Sequence, residues 1–165
     1  MRVWKFGNDV DTDAIIPGRY LTIYDPEELA RHVFEGTRND FANGVRPGDI
    51  IVAGSNFGSG SSREHAPLAL KGAGVRVVIA QSFARIFFRN AINIGLLPLV
   101  CPDTSGIEDG ETAAVDLDGS TLIVGGRSYA LEPIPAFVRD IVRAGGLVPY
   151  ARSLKEGVRC TVLQQ

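Results

Sequence analysis

Residues 54–67 read GSNFGSGSSREHAP. Three glycines, four serines, an arginine, a glutamate and a histidine fall within fourteen residues. A packed core has no use for this composition, and a plain surface turn needs only a few such residues. Before the stretch stands IIVA, residues 50–53, apolar throughout as a buried strand is. After it a helical pattern runs from about Ala66 to Lys71 and stops at the GAG of residues 72–74. A glycine-rich loop between a buried strand and a helix lies at the carboxyl end of that strand, where open α/β sheets bind ligands. Its glycines let the backbone approach a bound group. Successive N–H groups ahead of a helix form a nest for anions.

Pro67 fixes where that helix begins. Ser61-x-x-Glu64 matches a capping box, which would make Ser61 the N-cap and the serines purely structural. Pro67 would then fall in the sixth helical position, where it removes a hydrogen bond and clashes, at ~3 kcal/mol. In the first turn proline costs little. We therefore expect Ser61, Ser62 and Arg63 in loop conformation, facing whatever lies above the sheet. Two hydroxyls beside a fixed guanidinium describe a carboxylate site, since arginine grips a planar carboxylate with two parallel bonds. A serine there either donates to the carboxylate or acts as a base, its alkoxide stabilised by arginine and backbone N–H groups. Spacing alone does not choose between these roles.

Familiar loop chemistries do not fit. A P-loop needs lysine, which the stretch lacks. The dinucleotide fingerprint starts with Gly58 and Gly60, but Arg63 stands at the third glycine. G-x-S-x-G occurs in no register. His65 follows Ser61 and Ser62 too closely for a serine triad.

Working outward, 165 residues suffice for one domain that buries its apolar surface without disulfides. Net charge is −2, from 17 basic and 19 acidic residues, against the basic excess of nucleic-acid binders. Cys101 and Cys160 lie 59 residues apart without a CxxC or nearby histidines, so by themselves they cannot assemble a zinc or iron–sulfur site. They read as buried or free thiols of a reducing compartment. The N-terminus MRVWKFGNDV carries no cleavage signal, and no run approaches the ~20 apolar residues of a membrane span. A soluble cytoplasmic protein is expected.

The remaining elements follow the same grammar. Residues 1–6 form a short strand, and 7–18 are turn-rich. Asp25 caps a helix with Pro26 first and Glu28 completing a capping box; Leu29 and Val33 form its buried stripe, and Gly36 ends it. His32 sits on this helix as a structural or solvated residue. RPGD, 46–49, is a turn. Residues 75–80 form a strand. Ser82 caps a helix through Asn93, with Phe83, Ile86, Phe87 and Ala91 on one face and Arg85, Arg89 and Asn93 on the other; Gly95 closes it. Residues 96–100 form a third strand, giving a sheet of parallel character. Asp118-Gly119 and Gly125-Gly126 mark two tight hairpins, and Pro135 starts a helix carrying Phe137, Val138, Ile141 and Val142. No linker divides the chain, so one α/β domain over 1–165, with an added antiparallel section, is expected.

Three stretches together carry a resemblance: DVDTDAIIPGRYL, NFGSGSSREHAPLALKGAG and SFARIFFRNAINIGLLPL. From Val3 to about Tyr150 the chain resembles the small subunits of aconitase-type hydro-lyases, the isopropylmalate isomerases and homoaconitases among them. The resemblance implies a fold: the swivelling β/β/α three-layer α/β domain of the aconitase C-terminal and isopropylmalate isomerase small-subunit type. It implies a large-subunit partner, in a heterodimer or heterotetramer, carrying a [4Fe–4S] cluster. It implies dehydration of a small dicarboxylic or tricarboxylic acid to an alkene diacid, then rehydration at the neighbouring carbon. Residue by residue, Ser61 falls at the catalytic base. Ser62 and Arg63 fall where substrate carboxylate is gripped. Asp13 matches an acidic catalytic residue that tunes a histidine of the partner, with Thr12 flanking it at the substrate. Glu64 and His65 match the motif and are expected to hold the loop in shape. Ser59 departs from the cysteine often found there.

By the same resemblance the segment after DTD, Tyr20 to Tyr24, lines the side-chain pocket. Leu21, Thr22 and Ile23 make it apolar, which fits an isopropyl group. A homocitrate-type substrate would bury a carboxylate without a cation, unless nearby Arg19 supplied one. Plain core packing of Leu21 and Ile23 is an equal explanation of the pattern. Outside this family, an anion-binding regulatory module would show a broken Ser61/Arg63 pair or no Asp13. A self-contained hydrolase would label with serine reagents.

Overall fold

The computed structural model describes residues 1–162, with side-chain surroundings through Lys155; Cys160 lies outside the described side chains. Its framework is a four-stranded parallel sheet in the order β1 (Val3–Lys5), β2 (Ile50–Ala53), β3 (Val77–Ala80), β4 (Leu97–Val100). Strand β2 has the limits its apolar run predicts. Parallel neighbours need crossovers, and these are α4 (His65–Gly72) between β2 and β3 and α5 (Arg85–Ile94) between β3 and β4. Ahead of them stand three short helices: α1 (Thr12–Ile15), α2 (Pro26–Ala30) and α3 (Phe41–Gly44).

Period-two alternation sorts the sheet residues between two cores. Trp4, Ile51, Ala53, Val78 and Ala80 face the helices, packing with Leu29, Leu70, Phe87 and Ala91. Val3, Ile50, Val52, Ile79, Leu97 and Leu99 face the other way, onto Ala113, Leu122 and Val124. Those last residues belong to an antiparallel sheet of β5 (Ala113–Asp116), β6 (Thr121–Val124) and β7 (Arg127–Ala130). The layers are thus sheet, sheet and helices, the β/β/α arrangement expected. Helices α6 (Ala136–Arg143) and α7 (Leu147–Val162) complete the described chain. No helix among the described residues is long and apolar enough to cross a membrane.

Several local expectations need correction. Asp25 does cap α2, its Oδ1 accepting from the N–H groups of Glu27 and Glu28 (2.8 and 2.9 Å), but regular helix ends at Ala30. Turns follow because Phe34 takes a left-handed φ of 59°, donates its N–H to Ile15 O (2.8 Å) and stacks on Phe6 at 4.2 Å. Leu29 and Val33 are nonetheless both buried. Ser82 does not cap α5: its Oγ accepts from the Asn56 N–H (2.8 Å), and the N-cap is Ala84. On α5, Phe87 and Ala91 are buried while Ile86 is 51% exposed; on α6, Phe137 is 59% exposed. The β5–β6 hairpin closes through four residues, 117–120, because Asp116 pairs with Thr121. Gly125-Gly126 does form the two-residue turn, with φ of 54° and 78°. Gly95 ends α5 in the left-handed conformation (φ 82°).

Candidate active site

Strands β1 and β2 keep pairing after regular sheet ends. Gly54 N–H donates to Gly7 O (3.0 Å), Asp9 N–H to Ser55 O (2.9 Å), Gly58 N–H to Val10 O (2.7 Å) and Thr12 N–H to Ser59 O (2.9 Å). Residues 7–12 and 54–59 therefore rise together from the carboxyl edge of the sheet. Phe57 anchors this platform, fully buried with its ring 5.2 Å from that of Phe87. Gly58, at φ 79°, lies so close to Phe87 that a Cβ would stand 2.2 to 2.6 Å from its atoms. Only glycine satisfies both conditions.

Thr12 tops the platform at 2% exposure, starting α1, whose N-cap Asp11 accepts from Ala14 N–H at 2.6 Å. Its Oγ1 accepts the N–H of Ser61 at 3.2 Å and stands 3.2 Å from Ser61 Oγ. Ser61 and Ser62 themselves are exposed. Helix α4 starts at His65, with Pro67 in its first turn, so Ser61, Ser62 and Arg63 all precede it as expected. The buried threonine thus fixes Ser61 while leaving it open to a visitor.

Arg63 reaches back to Asp13. Nη1 donates to Oδ1, and Nη2 to Oδ2 at 3.0 Å, the two-point grip of a guanidinium on a planar carboxylate. The hydrogen bonds from Arg63, foremost among the influences, hold the Asp13 carboxyl below the ordinary carboxylate range. Gly18 lies beside the pair: a Cβ on it would stand in ordinary contact, 3.5 Å from Asp13 Oδ1 and 3.7 Å from Arg63 Nη2. That glycine opens the 3-10 turn Gly18–Tyr20, which leads into the Leu21–Tyr24 segment.

Four sequence-predicted residues therefore form two hydrogen-bonded pairs, Thr12 with Ser61 and Asp13 with Arg63, adjacent in the chain at positions 12 and 13, and Ser62 lies between Ser61 and Arg63. Leu21 is half-buried, Thr22 exposed, and Ile23 packs against the helical core. Glu64 makes no side-chain cap; its carbonyl accepts from Leu68 N–H (3.1 Å), so its carboxylate does not hold the loop through the helix start. The His65 ring lies 5.1 Å from that of Tyr24, and its Nε2 is enclosed without a hydrogen-bond partner among the described residues. Ser59 contributes its carbonyl to Thr12. Arg19 is bonded to Glu35. What the spacing did not disclose is Thr12 as the support of Ser61, and the cluster of Glu35, Tyr20 and His32.

The chemistry sits on an open rim. Concavities of about 380, 490, 400 and 360 Å³ lie elsewhere, and none of these four is lined by Thr12, Asp13, Ser61, Ser62 or Arg63. Such a rim can hold a carboxylate and move a proton, but needs a second surface to exclude water. Its donor set does not suit a metal: among the described residues no group of three or more His, Cys, Asp or Glu converges. Cys101 is buried, its Sγ donating to Asp103 O at 3.1 Å, and burial raises the pKa of its thiol.

The family model of the aconitase C-terminal domain matches residues 41–104, which include the loop and exclude Asp13. The 3-isopropylmalate dehydratase small subunit of Methanosarcina acetivorans is 62% identical over 155 residues, covering 93% of this chain and 96% of that protein. Small subunit 1 of the same enzyme from Archaeoglobus fulgidus is 57% identical, covering 94% of this chain and 98% of that one. The crystal structure of 3-isopropylmalate dehydratase (leuD) from Methanocaldococcus jannaschii superposes with a TM-score of 0.92 at 48% identity, covering 97% of this chain and 96% of that one.

Proposed function

The chain belongs to the 3-isopropylmalate dehydratase small-subunit family of aconitase-type hydro-lyases, and from that premise we propose how its rim serves the reaction. The activity is the isomerisation of 2-isopropylmalate and 3-isopropylmalate, by loss and re-addition of water, in leucine biosynthesis. Arg63 and Ser62 hold a substrate carboxylate, the fork that now takes Asp13 opening to a second planar anion. Ser61, as alkoxide, takes the proton from the carbon α to that carboxylate, and Thr12 keeps its Oγ in place. Removing that proton leaves the electron pair to form the alkene as the hydroxyl departs from the neighbouring carbon with its own bonding pair, a departure for which the partner's cluster would supply the Lewis acid; rehydration returns the oxygen to one carbon and the proton on Ser61 to the other. Asp13 sets the charge around Arg63 and faces a partner histidine.

The family implies an iron–sulfur cluster. Among the described residues no group of His, Cys, Asp or Glu converges that would hold one, and we assign the cluster to the large subunit whose surface closes the rim. We place the assembly in the cytoplasm. The observation carrying this reading is the hydroxyl of buried Thr12 holding Ser61 beside Arg63 on an uncovered edge. Arg19, the cation nearest the Tyr20–Tyr24 segment in sequence, donates to Glu35, which favours an isopropyl group there over the extra distal carboxylate of homocitrate. The test is reconstitution with the cluster-loaded large subunit, assayed on isopropylmalate, homocitrate, citraconate and dimethylmalate. Turnover of isopropylmalate by the complex and none by this chain alone is expected; turnover by the isolated chain, or preference for homocitrate, overturns the reading.

A further inference from the structure

Glu35 lies outside the rim and outside every motif named above, yet it engages three residues at once. Its Oε2 accepts the hydroxyl of Tyr20 at 2.7 Å and lies 2.8 Å from His32 Nδ1. Its Oε1 accepts from Arg19 Nη2. The His32 ring stacks on Tyr20 at 3.8 Å and 14°, and the Arg19 guanidinium stands 4.8 Å from the Tyr20 ring centre. Glu35 is presented from a fixed base. The residue before it, Phe34, is locked by its left-handed φ, its bond to Ile15 O and its stack on Phe6.

What this clamp holds is the start of an otherwise lightly anchored segment. Beyond Tyr20, the chain turns with Leu21 N–H on Gly18 O (3.3 Å) and Ile23 N–H on Tyr20 O (3.0 Å). Both carbonyls belong to the clamped turn. Only Ile23 reaches the core; Thr22 is exposed and Tyr24 is 74% exposed. Just ahead of the segment, Gly18 lies beside the Arg63–Asp13 pair, and at its far end the Tyr24 ring lies 5.1 Å from that of His65, two residues along the chain from Arg63. Exposed ion pairs add little to stability, so the consequence of the cluster lies in the geometry it imposes.

We infer that Glu35 is a positioning residue for substrate choice: by clamping Tyr20 it sets the conformation of the 21–24 segment, which the family resemblance puts against the substrate side chain. This rests on the functional reading above. Glu35→Ala removes the whole clamp, and Tyr20→Phe removes one hydroxyl while keeping the ring stack, so the second variant stays informative if the first folds poorly. Glu35→Gln keeps one acceptor and is expected to fall between wild type and Glu35→Ala.

The test has two arms. Amide hydrogen exchange on the intact chain is expected to quicken about tenfold or more at residues 20–24 in Glu35→Ala and Tyr20→Phe, with β2 and β3 unchanged. In the reconstituted complex the ratio of kcat/KM for isopropylmalate over 2-methylmalate is expected to fall about fivefold or more in both, carried by KM more than by kcat. Unchanged exchange, an unchanged ratio, or equal losses in kcat and kcat/KM would each overturn the assignment. The exchange arm uses no substrate, so it judges the clamp even where the wild-type complex fails to turn over isopropylmalate and the functional reading itself falls.

Discussion

Arg63 holds Asp13 through both terminal guanidinium nitrogens, although 50 positions of sequence separate them. A carboxylate already lies where a planar anion fits, and the fork is set before any substrate arrives. Preset donors lose little freedom on binding. Lysine keeps the charge and loses the fork. Arg63→Lys is therefore expected to lower kcat/KM of the complex about 10- to 100-fold, chiefly through KM. Steady-state kinetics on the reconstituted enzyme measures this, and an unchanged KM would remove Arg63 from carboxylate binding.

The same pair has a pH signature. Hydrogen bonds from Arg63 lower the Asp13 pKa in the folded chain. A depressed carboxylate pKa favours folding fully above the unfolded-state value of about 3.9, and that contribution disappears as pH falls through the folded pKa. Asp13→Asn should thus cost stability at neutral pH and converge with wild type in acid. The difference is screened because the pair is solvent-accessible. Urea midpoints from pH 3 to 7, at low and high salt, measure it; a gap that widens toward acid contradicts the pairing.

How much of this was visible in sequence depends on the range of the interaction that decides each feature. Pro67 decides the start of α4 locally, and Ile50–Ala53 decides β2 by its own apolarity, so both were legible. Gly95 likewise closed α5 through its own backbone freedom. Ser82 looked like a cap, but a loop 26 residues away took its Oγ as an acceptor. The helix from Pro26 was overextended because Phe34 gains more by turning into the core against Phe6 than by continuing the helix. The site divides the same way. The loop placement of Ser61, Ser62 and Arg63 follows from one proline, whereas the Thr12–Ser61 junction, 49 positions apart, needs the parallel pairing of β1 with β2 and its continuation. Glu35 acts only through the fold.

Thr12 gives a sharper test of that junction. It is buried, and its hydroxyl is the partner of the Ser61 N–H. Thr12→Val keeps the shape and deletes the oxygen. A half-buried N–H then loses its acceptor, which costs about 1–3 kcal/mol. Stability and turnover should fall together, and Thr12→Ser should recover most of both. Denaturant melts and kcat on the three proteins decide it; a Val variant as active as wild type would separate Thr12 from the site.

Gly58 tests the platform beneath. Alanine there meets Phe87 at 2.2 to 2.6 Å and is forced to φ 79°. Left-handed strain of about 1–2 kcal/mol adds to overpacking of about 1–3 kcal/mol. Gly58→Ala is expected to lose about 2–5 kcal/mol, with Gly110→Ala, whose Cβ meets nothing within 4 Å, losing only the strain. Equal urea midpoints for the two variants would contradict the close approach.

Ser61→Ala separates the two roles that spacing left open. If Ser61 only donates to a carboxylate, deleting its hydroxyl weakens binding by the worth of one charge-assisted bond, about 1.5–3 kcal/mol, and KM carries the loss. If Ser61 is the base, KM changes little and kcat falls about 10³-fold or more, because no neighbouring group replaces it in taking the proton. The variant loses the Thr12 Oγ1–Ser61 Oγ contact, but the Thr12 hydroxyl still donates to Ser61 O (3.3 Å) and accepts the Ser61 N–H, and the side chain lies exposed, so assembly with the large subunit should persist. Proton exchange at the substrate α carbon supplies a second readout. A solvent isotope washes into bound substrate only when the base acts, so the variant should lose this exchange in step with kcat. Persistent exchange with near-normal kcat would leave Ser61 as a carboxylate ligand and require the proton acceptor to come from the partner.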